Sequence, residues 1–258
     1  TGAKFEFRAV GSSQSIAFPV MLFNTVVAEA IAELTVALKA ELKKTTSVDD
    51  AVLKIVRAAF RETTAIRFEG NGYAPAWIKE AKRRGLLNLR RTPEALEQIN
   101  TKTSKALFTT LGILTPEELA SRYHVRLERY LKDMLIEMHT MREIIDTMVL
   151  PATYRYLGVL ADAAQKSKAV GIRVNPATVA ATAFARQVTE LQKRAAALRV
   201  AAGKADTMHD TPARCAQYLT GTGADVMAAA REVSDAIELT MGDEYWPLPR
   251  YREMVFPV

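Results

Sequence analysis

The stretch "TPEELASRYHVRLERYLKDMLIEMHTMREIIDTMVLP", residues 115–151, decides the fold. Thr115 and Glu118 form a Thr-x-x-Glu capping box, in which hydroxyl and carboxylate each satisfy a backbone donor left open at a helix start. Pro116 takes the first helical position, where a missing N–H costs nothing. Beyond it Leu119, Tyr123, Leu127, Tyr130, Met134, Met138, Met141, Ile145 and Met148 recur at spacings of three and four, the pattern of a long helix packed along one seam. Methionines at this spacing read as core rather than as a peptide groove. Pro151 predicts a kink, and "ATYRYLGVLADAAQ" resumes the pattern at once, so a kinked continuation is expected.

Toward the C-terminus, "NPATVAATAF" starts another helix, with Asn175 as cap and Pro176 at its first position, running to about Ala202. Thr211 and Pro212 begin a further one, which the glycines at 221 and 223 are expected to interrupt before a last helix from about Ala224 to Met241. Three long antiparallel helices joined by short loops fit a bundle. The closing "DEYWPLPRYREMVF" carries Tyr245, Trp246, Tyr251 and Phe256. These rings are costly to leave in water and are expected to dock on the parent domain or on a neighbouring subunit.

Toward the N-terminus, "TPEAL" from Thr92 marks a short helix. The basic stretch "KEAKRRGLLNLRR", residues 79–91, reads as a solvated helix face or as a phosphate-attracting one, without interleaved aromatics for stacking single strands. Ile66 and Phe68 suggest a short strand, with Gly70 and the "NG" pair as a tight turn. Ser47 caps a helix whose Val52, Ile55, Val56 and Phe60 form its expected buried face. From Ile16 to about Lys44, Leu22, Val26, Ala30, Leu34 and Leu38, widened by Val27 and Ile31, predict a long helix packed along one side. Residues 4–10 alternate with period two, Phe5 and Phe7 against Lys4, Glu6 and Arg8, as a strand with one polar face does.

With 258 residues and 49% hydrophobic composition, the chain can bury a full core without covalent staples. Cys215 is the sole cysteine, so no disulfide closes within the chain, and the reading is a reducing, cytoplasmic compartment. His124, His139 and His209 show no metal-ligand spacing. No apolar run approaches the roughly 20 residues needed to span a bilayer, and the start lacks a secretory pattern. A first residue Thr1 entering directly on a strand suggests a processed terminus or a piece of a longer protein. The Lys4, Glu6 and Arg8 face reads either as a solvated strand face of alternating charge or as a site holding a divalent metal on a carboxylate and anionic groups on two cations.

Several stretches together resemble the type III glutamine synthetases. "KFEFRAVGSSQSIA" looks like the strand and loop carrying the last acidic metal ligand and a substrate-binding arginine, and "RFEGNGYAPAWIKEAKRRGLLNL" looks like the segment after the first long helix. "TMVLPATYRY" and "WPLPRYREMVF" are similar to further signatures, and "ALFTTLGILTPEELASRY" looks like the end of the shorter enzymes of the family. The chain departs from the family pattern at Ala3, Phe18 and Val20.

The resemblance implies ATP-dependent amidation of glutamate by ammonia through γ-glutamyl phosphate, with Mg2+ or Mn2+. Glu6 matches a divalent-cation ligand, Arg8 the arginine that stabilises charge on the substrate and its phosphorylated intermediate, and Lys4 a basic residue near the nucleotide phosphates. It also implies hexameric rings stacked as dodecamers; no membrane or nucleic-acid partner is expected. The expected fold is mainly α, with one or two strands from the C-terminal part of an α+β catalytic fold at residues 1–114. A long antiparallel helical bundle with a docking aromatic tail is expected at 115–258. The fragment alone is expected to be inactive. Rival readings are a non-catalytic scaffold of the same family and a basic helical nucleic-acid-binding module.

Overall fold

Proline and cap chemistry place the helix starts where local sequence asks for them. The computed structural model describes residues 14–173 and 175–255, and every regular element among them is helical. The chain divides into two compact units, one ending at Tyr123 and the other beginning at His124. The border falls inside a helix that begins at Pro116.

The first unit contains α1 (Ala17–Leu42), α2 (Val48–Glu62), α3 (Pro75–Arg83), α4 (Thr92–Glu97), α5 (Lys102–Thr110) and the start of α6 (Pro116–Ile144). Ser47 Oγ accepts from the Asp50 amide at 3.2 Å, and Thr101 Oγ1 from the Ser104 amide at 3.2 Å, so α2 and α5 each have one otherwise orphaned donor satisfied. The Thr115 amide donates to Glu118 Oε2 at 2.8 Å while the Glu118 amide donates to Thr115 Oγ1 at 3.2 Å, which is the reciprocal box read from the sequence. Phe108, Leu114 and Leu119 form the core here, with Met21 of α1 and Ile99 packed against them. The other buried apolar side chains described in this unit are Tyr123, Pro93 and two alanines, Ala51 and Ala81.

That core is small for the apolar surface the unit carries, and two expectations change with it. The predicted stripe of α1 is not covered: Leu22, Val26, Val27, Ile31 and Leu34 are all exposed, and Val36 on another side is 69% exposed. The predicted inner face of α2 is likewise open at Val52, Val56 and Phe60, and with Ile31, Leu34 and Leu38 of α1 it lines an apolar groove of about 340 Å³. Moreover, α1 is 26 residues long with a mean hydropathy of 1.6 over its most apolar window, long and apolar enough by length and composition to cross a membrane. This overturns the expectation that no run reaches that length. The sequence reading missed it because Glu29 and Glu33 break the run by eye, while the residues around them are apolar enough to keep the mean high.

The second correction concerns strands. The expected strand at residues 4–10 lies outside the described residues. The one expected at 66–68 is absent: Thr63–Ile66 is a turn of 3-10 helix. Thr63 Oγ1 donates back to the Ala59 carbonyl at 2.8 Å, and the carbonyls of Ala65 and Arg67, which a ladder would use, accept instead from Arg84 Nη1 at 3.3 and 2.8 Å. Side chains have taken the backbone groups that strand pairing needs.

In the second unit, α6 passes through a wide π-turn at Ile145–Val149 into α7 (Leu150–Ala169), so the helix continues past Pro151 as expected. Pro151 has no N–H to give the turn before it, and the Leu150 amide reaches back five residues to the Ile145 carbonyl. This extra residue shifts the phase of the seam. Leu127, Met138 and Ile145 are buried as predicted, but Val149 is fully buried where the spacing had put Met148, which is 37% exposed.

Helix α8 (Pro176–Asp206) turns back along this rod after Gly171, whose φ of +79° suits a residue without a β-carbon. Its register is written in side-chain pairs. Asn175 Nδ2 donates to the Ala164 carbonyl at 2.8 Å, Gln192 Nε2 to Tyr154 Oη at 2.8 Å and Arg199 Nη1 to Asp146 Oδ1 at 2.6 Å. His139 Nε2 lies 3.0 Å from Asp206 Oδ1 at the far end. Phe184, Val188, Leu191, Ala195 and Leu198 fill the seam between. Helix α9 (Pro212–Tyr218) then runs through a second π-turn, Leu219–Gly223, into α10 (Ala224–Thr240). The glycines therefore do not interrupt the helix; they widen one turn of it. A β-carbon at Gly223 would sit 3.0 Å from Met138 Cε, so the small residue lets this helix lie close against α6. The result is a three-helix antiparallel bundle.

Candidate functional site

The residues singled out for chemistry, Lys4, Glu6 and Arg8, lie outside the described residues. Nearest to them in the described chain, Ser15 Oγ accepts from the Ala17 amide at 3.2 Å where α1 begins. Among the described residues no group of three or more histidine, cysteine or acidic side chains converges where a metal ion could be held.

The basic stretch is built into a clasp. Helix α3 starts at Pro75 and ends at Arg83, and just past its cap Gly85, with a φ of +76°, lets the Leu86 amide close back on the Ala81 carbonyl at 2.9 Å. Three and four residues along one helix face are neighbours, so Glu80 meets both Arg83 and Arg84. Arg83 Nε and Nη2 donate to its two oxygens at 2.7 and 2.6 Å, and Arg84 Nε donates at 2.6 Å. These hydrogen bonds, Arg83's first, hold the Glu80 carboxyl down to about 2. Arg84 also spans back to the carbonyls of residues 65 and 67, over a stacked pair of rings, Phe68 and Trp77, whose centroids are 4.0 Å apart. The guanidinium carbon lies 5.9 Å from the Phe68 centroid and 5.5 Å from that of Trp77.

The clasp decides what this face can do. Two of its cations are turned on Glu80, and the aromatic faces are stacked on each other rather than offered to a base, so the exposed charges are Lys79, Lys82, Arg90 and Arg91 together with Arg83, which is already paired. It is a structural lock on the segment from residue 65 to 86. Sequence reading placed the charges correctly and missed the lock, because Arg84 meets partners 17 and 19 residues away.

In the second unit the tail docks in part. Tyr245 lies 5.3 Å from Tyr156, while Trp246, Leu248 and Pro249 line a groove of about 870 Å³ with Met141 and Ile145 of the rod and Met227 of α10. Arg250 holds the turn: its Nη2 donates to the Glu238 and Met241 carbonyls at 3.5 and 3.3 Å, and Nε lies 2.5 Å from Asp243 Oδ1 as an ion pair, off the line of a hydrogen bond. Arg252 also pairs with Asp243. Tyr251 stays 79% exposed, and Phe256 lies outside the described residues. Of the methionine seam Met138 is core, Met134 and Met141 are half-buried, with Met141 at the edge of the groove, and Met148 is exposed. Cys215 is buried against the Ala205 carbonyl, and burial pushes its thiol up, away from the reactive thiolate.

Against known proteins, residues 51–168 match the family described as glutamine synthetase C-terminal domain. The chain is 32% identical to the type-3 glutamine synthetase of Dictyostelium discoideum over 99% of its own length and 35% of that protein's. It is 29% identical to a glutamine synthetase of Bacteroides fragilis strain YCH46 over 99% of this chain and 36% of the relative. With one from Butyrivibrio fibrisolvens the identity is 30% over 80% and 30%. The chain thus spans about a third of the length of these relatives. The matches run through both compact units and take in the capping box, the arginine clasp and the long rod, so along nearly its whole length this chain is similar to the glutamine synthetases.

Proposed function

We propose that the full-length protein is a cytoplasmic ATP-dependent glutamate–ammonia ligase of the type III kind, to which this chain contributes the end of the catalytic region and a helical extension. The observation that carries this reading is the alignment of 99% of the chain with proteins named glutamine synthetase. In the reaction, a γ-carboxylate oxygen of glutamate attacks the terminal phosphorus of ATP and ADP leaves, giving γ-glutamyl phosphate. Ammonia then attacks the acyl carbon, phosphate departs and the nitrogen loses a proton, leaving the amide.

Arg8 grips the anionic substrate and its phosphorylated form, since a permanently charged planar guanidinium pairs bidentately with such oxygens. Lys4 faces the nucleotide phosphates as a point charge. Glu6 would hold Mg2+ or Mn2+, hard cations that take carboxylate oxygen. When bound, such an ion neutralises phosphoryl oxygens. The described residues offer no cluster of three ligands, so Glu6 would share the ion with residues outside them. The same reading makes the protein a homo-oligomer of hexameric rings stacked as dodecamers. The exposed lysines and arginines of residues 79–91 and the exposed end of the tail are candidate contacts.

The test is ATP- and glutamate-dependent incorporation of ammonia by the full-length protein, beside Glu6→Gln and Arg8→Ala. Both variants are expected to lose at least about a hundredfold in kcat/KM, as removal of a transition-state charge contact does. Near wild-type rates in both would overturn the assigned roles, and no glutamine from the full-length protein would favour the scaffold reading.

A further inference from the structure

We propose that α1 is an interior helix of a longer protein. Its apolar surface, and the groove it forms with α2, are covered by the part of that protein outside residues 1–258. A helix that must pack on one side concentrates its apolar residues there, whereas one apolar all round is enclosed. Helix α1 is close to the second kind: even the side that carries Glu29 and Glu33 also carries Leu22 and Val36. Ile31 and Val36 are 59% and 69% exposed, and five residues of helix carry them about 140° apart around the axis. The helix also leaves no hydroxyl needing water: Thr25 Oγ1 donates to the Met21 carbonyl at 2.8 Å and Thr35 Oγ1 to the Ile31 carbonyl at 2.7 Å. Exposed apolar area on this scale marks an interface.

Three observations choose the occupant. A second copy meeting the α1–α2 groove would cover one side and leave Val36 bare. A bilayer would cover all sides, but Glu29 and Glu33 sit at the middle of the helix, where a membrane tolerates charge least, and α2 alongside brings Lys54, Arg57 and Arg61. The matched relatives are about three times as long as the match, which takes in α1, while the C-terminal-domain family begins only at residue 51. Helix α1 therefore stands on the side of the match that belongs with the remaining chain. The covering surface must be apolar, with a cation opposite Glu29 or Glu33.

This inference rests on the match to these longer relatives and not on the proposed reaction. Its test uses the longer protein encoded by the reading frame continuous with this sequence, carrying Ile31→Cys or Val36→Cys. Cys215, 3% exposed, gives no background. Leu239→Cys, at a position 86% exposed in the second unit, is the reference. Both α1 cysteines are expected to react with a maleimide at least about a hundredfold more slowly than the reference, as sites needing local opening do. Amide exchange across residues 17–42 of the unsubstituted protein should show the same protection, which guards against misfolded variants. Reaction at the reference rate, with unprotected amides, overturns the proposal. So does protection lost on dilution together with particle mass, which would mean a second copy, or protection that appears only with anionic phospholipid vesicles. A reading frame that adds no chain also overturns it. Glutamine formed with α1 exposed would sink this inference alone, and α1 protected with no glutamine formed would sink the ligase reading alone.

Discussion

Glu80 shows how much a single side chain can settle. Its carboxyl, ordinarily titrating at 4.5, is held to about 2 by Arg83 and then Arg84. A carboxyl depressed on folding contributes stability above its unfolded value and loses it as pH falls through the folded one. The contribution is therefore complete above about pH 4.5 and fades toward about pH 2. In carbon-detected titration Glu80 should remain ionised at pH 3, below the ordinary carboxylate range, and Glu80→Gln should flatten the acid limb of the unfolding curve in that window. A Glu80 carboxyl titrating near 4.5 would show that the clasp does not form. At this scale the sequence was legible wherever partners are close along the chain, as with Ser47, Thr115 with Glu118, and Asn175. It was silent on Arg84, whose partners at Ala65 and Arg67 become neighbours only after the intervening turn has closed.

Among the elements, the rod from α6 to α7 separates what a repeat can and cannot predict. The seam from Leu119 to Ile145 was readable because nothing disturbs an even winding over that length. It failed at Met148 because one turn holds an extra residue, and periodicity counts residues without knowing how each turn is wound. The stability consequence is direct. Val149→Ala should cost about 2 kcal/mol through lost transfer energy and the cavity left behind, whereas Met148→Ala should stay within about 0.5 kcal/mol. Denaturant unfolding of the two variants checks it, and equal losses would return the seam to even winding. The sequence pattern for α1 and α2 identified the helices but not their surroundings, since apolar periodicity says which residues want cover and not whether this stretch of chain supplies it.

At the scale of the molecule the two units differ in how well each closes on itself. The second buries Leu191, Leu198, Leu219, Ile237, Met138 and Val149 completely or almost so, while the first has Phe108, Leu114 and Leu119 at its centre and long apolar helices facing outward. Protection from amide exchange tracks buried contact. In the 258-residue chain the amides of α8 and α10 should exchange slowest and those of α1 and α2 fastest, and the reverse order would contradict the division. The proposed active-site residues are the part of the function that sequence resemblance reaches and the described residues do not. The two widened turns, at 145–149 and 219–223, bear on the history of the chain as well. Each is a place where a helix has absorbed one surplus residue without breaking, and could release it by tightening to an ordinary turn. Single-residue gaps among relatives of different length are expected to collect there, and a one-residue deletion at either should be survivable only if the downstream helix can rotate to a new facing.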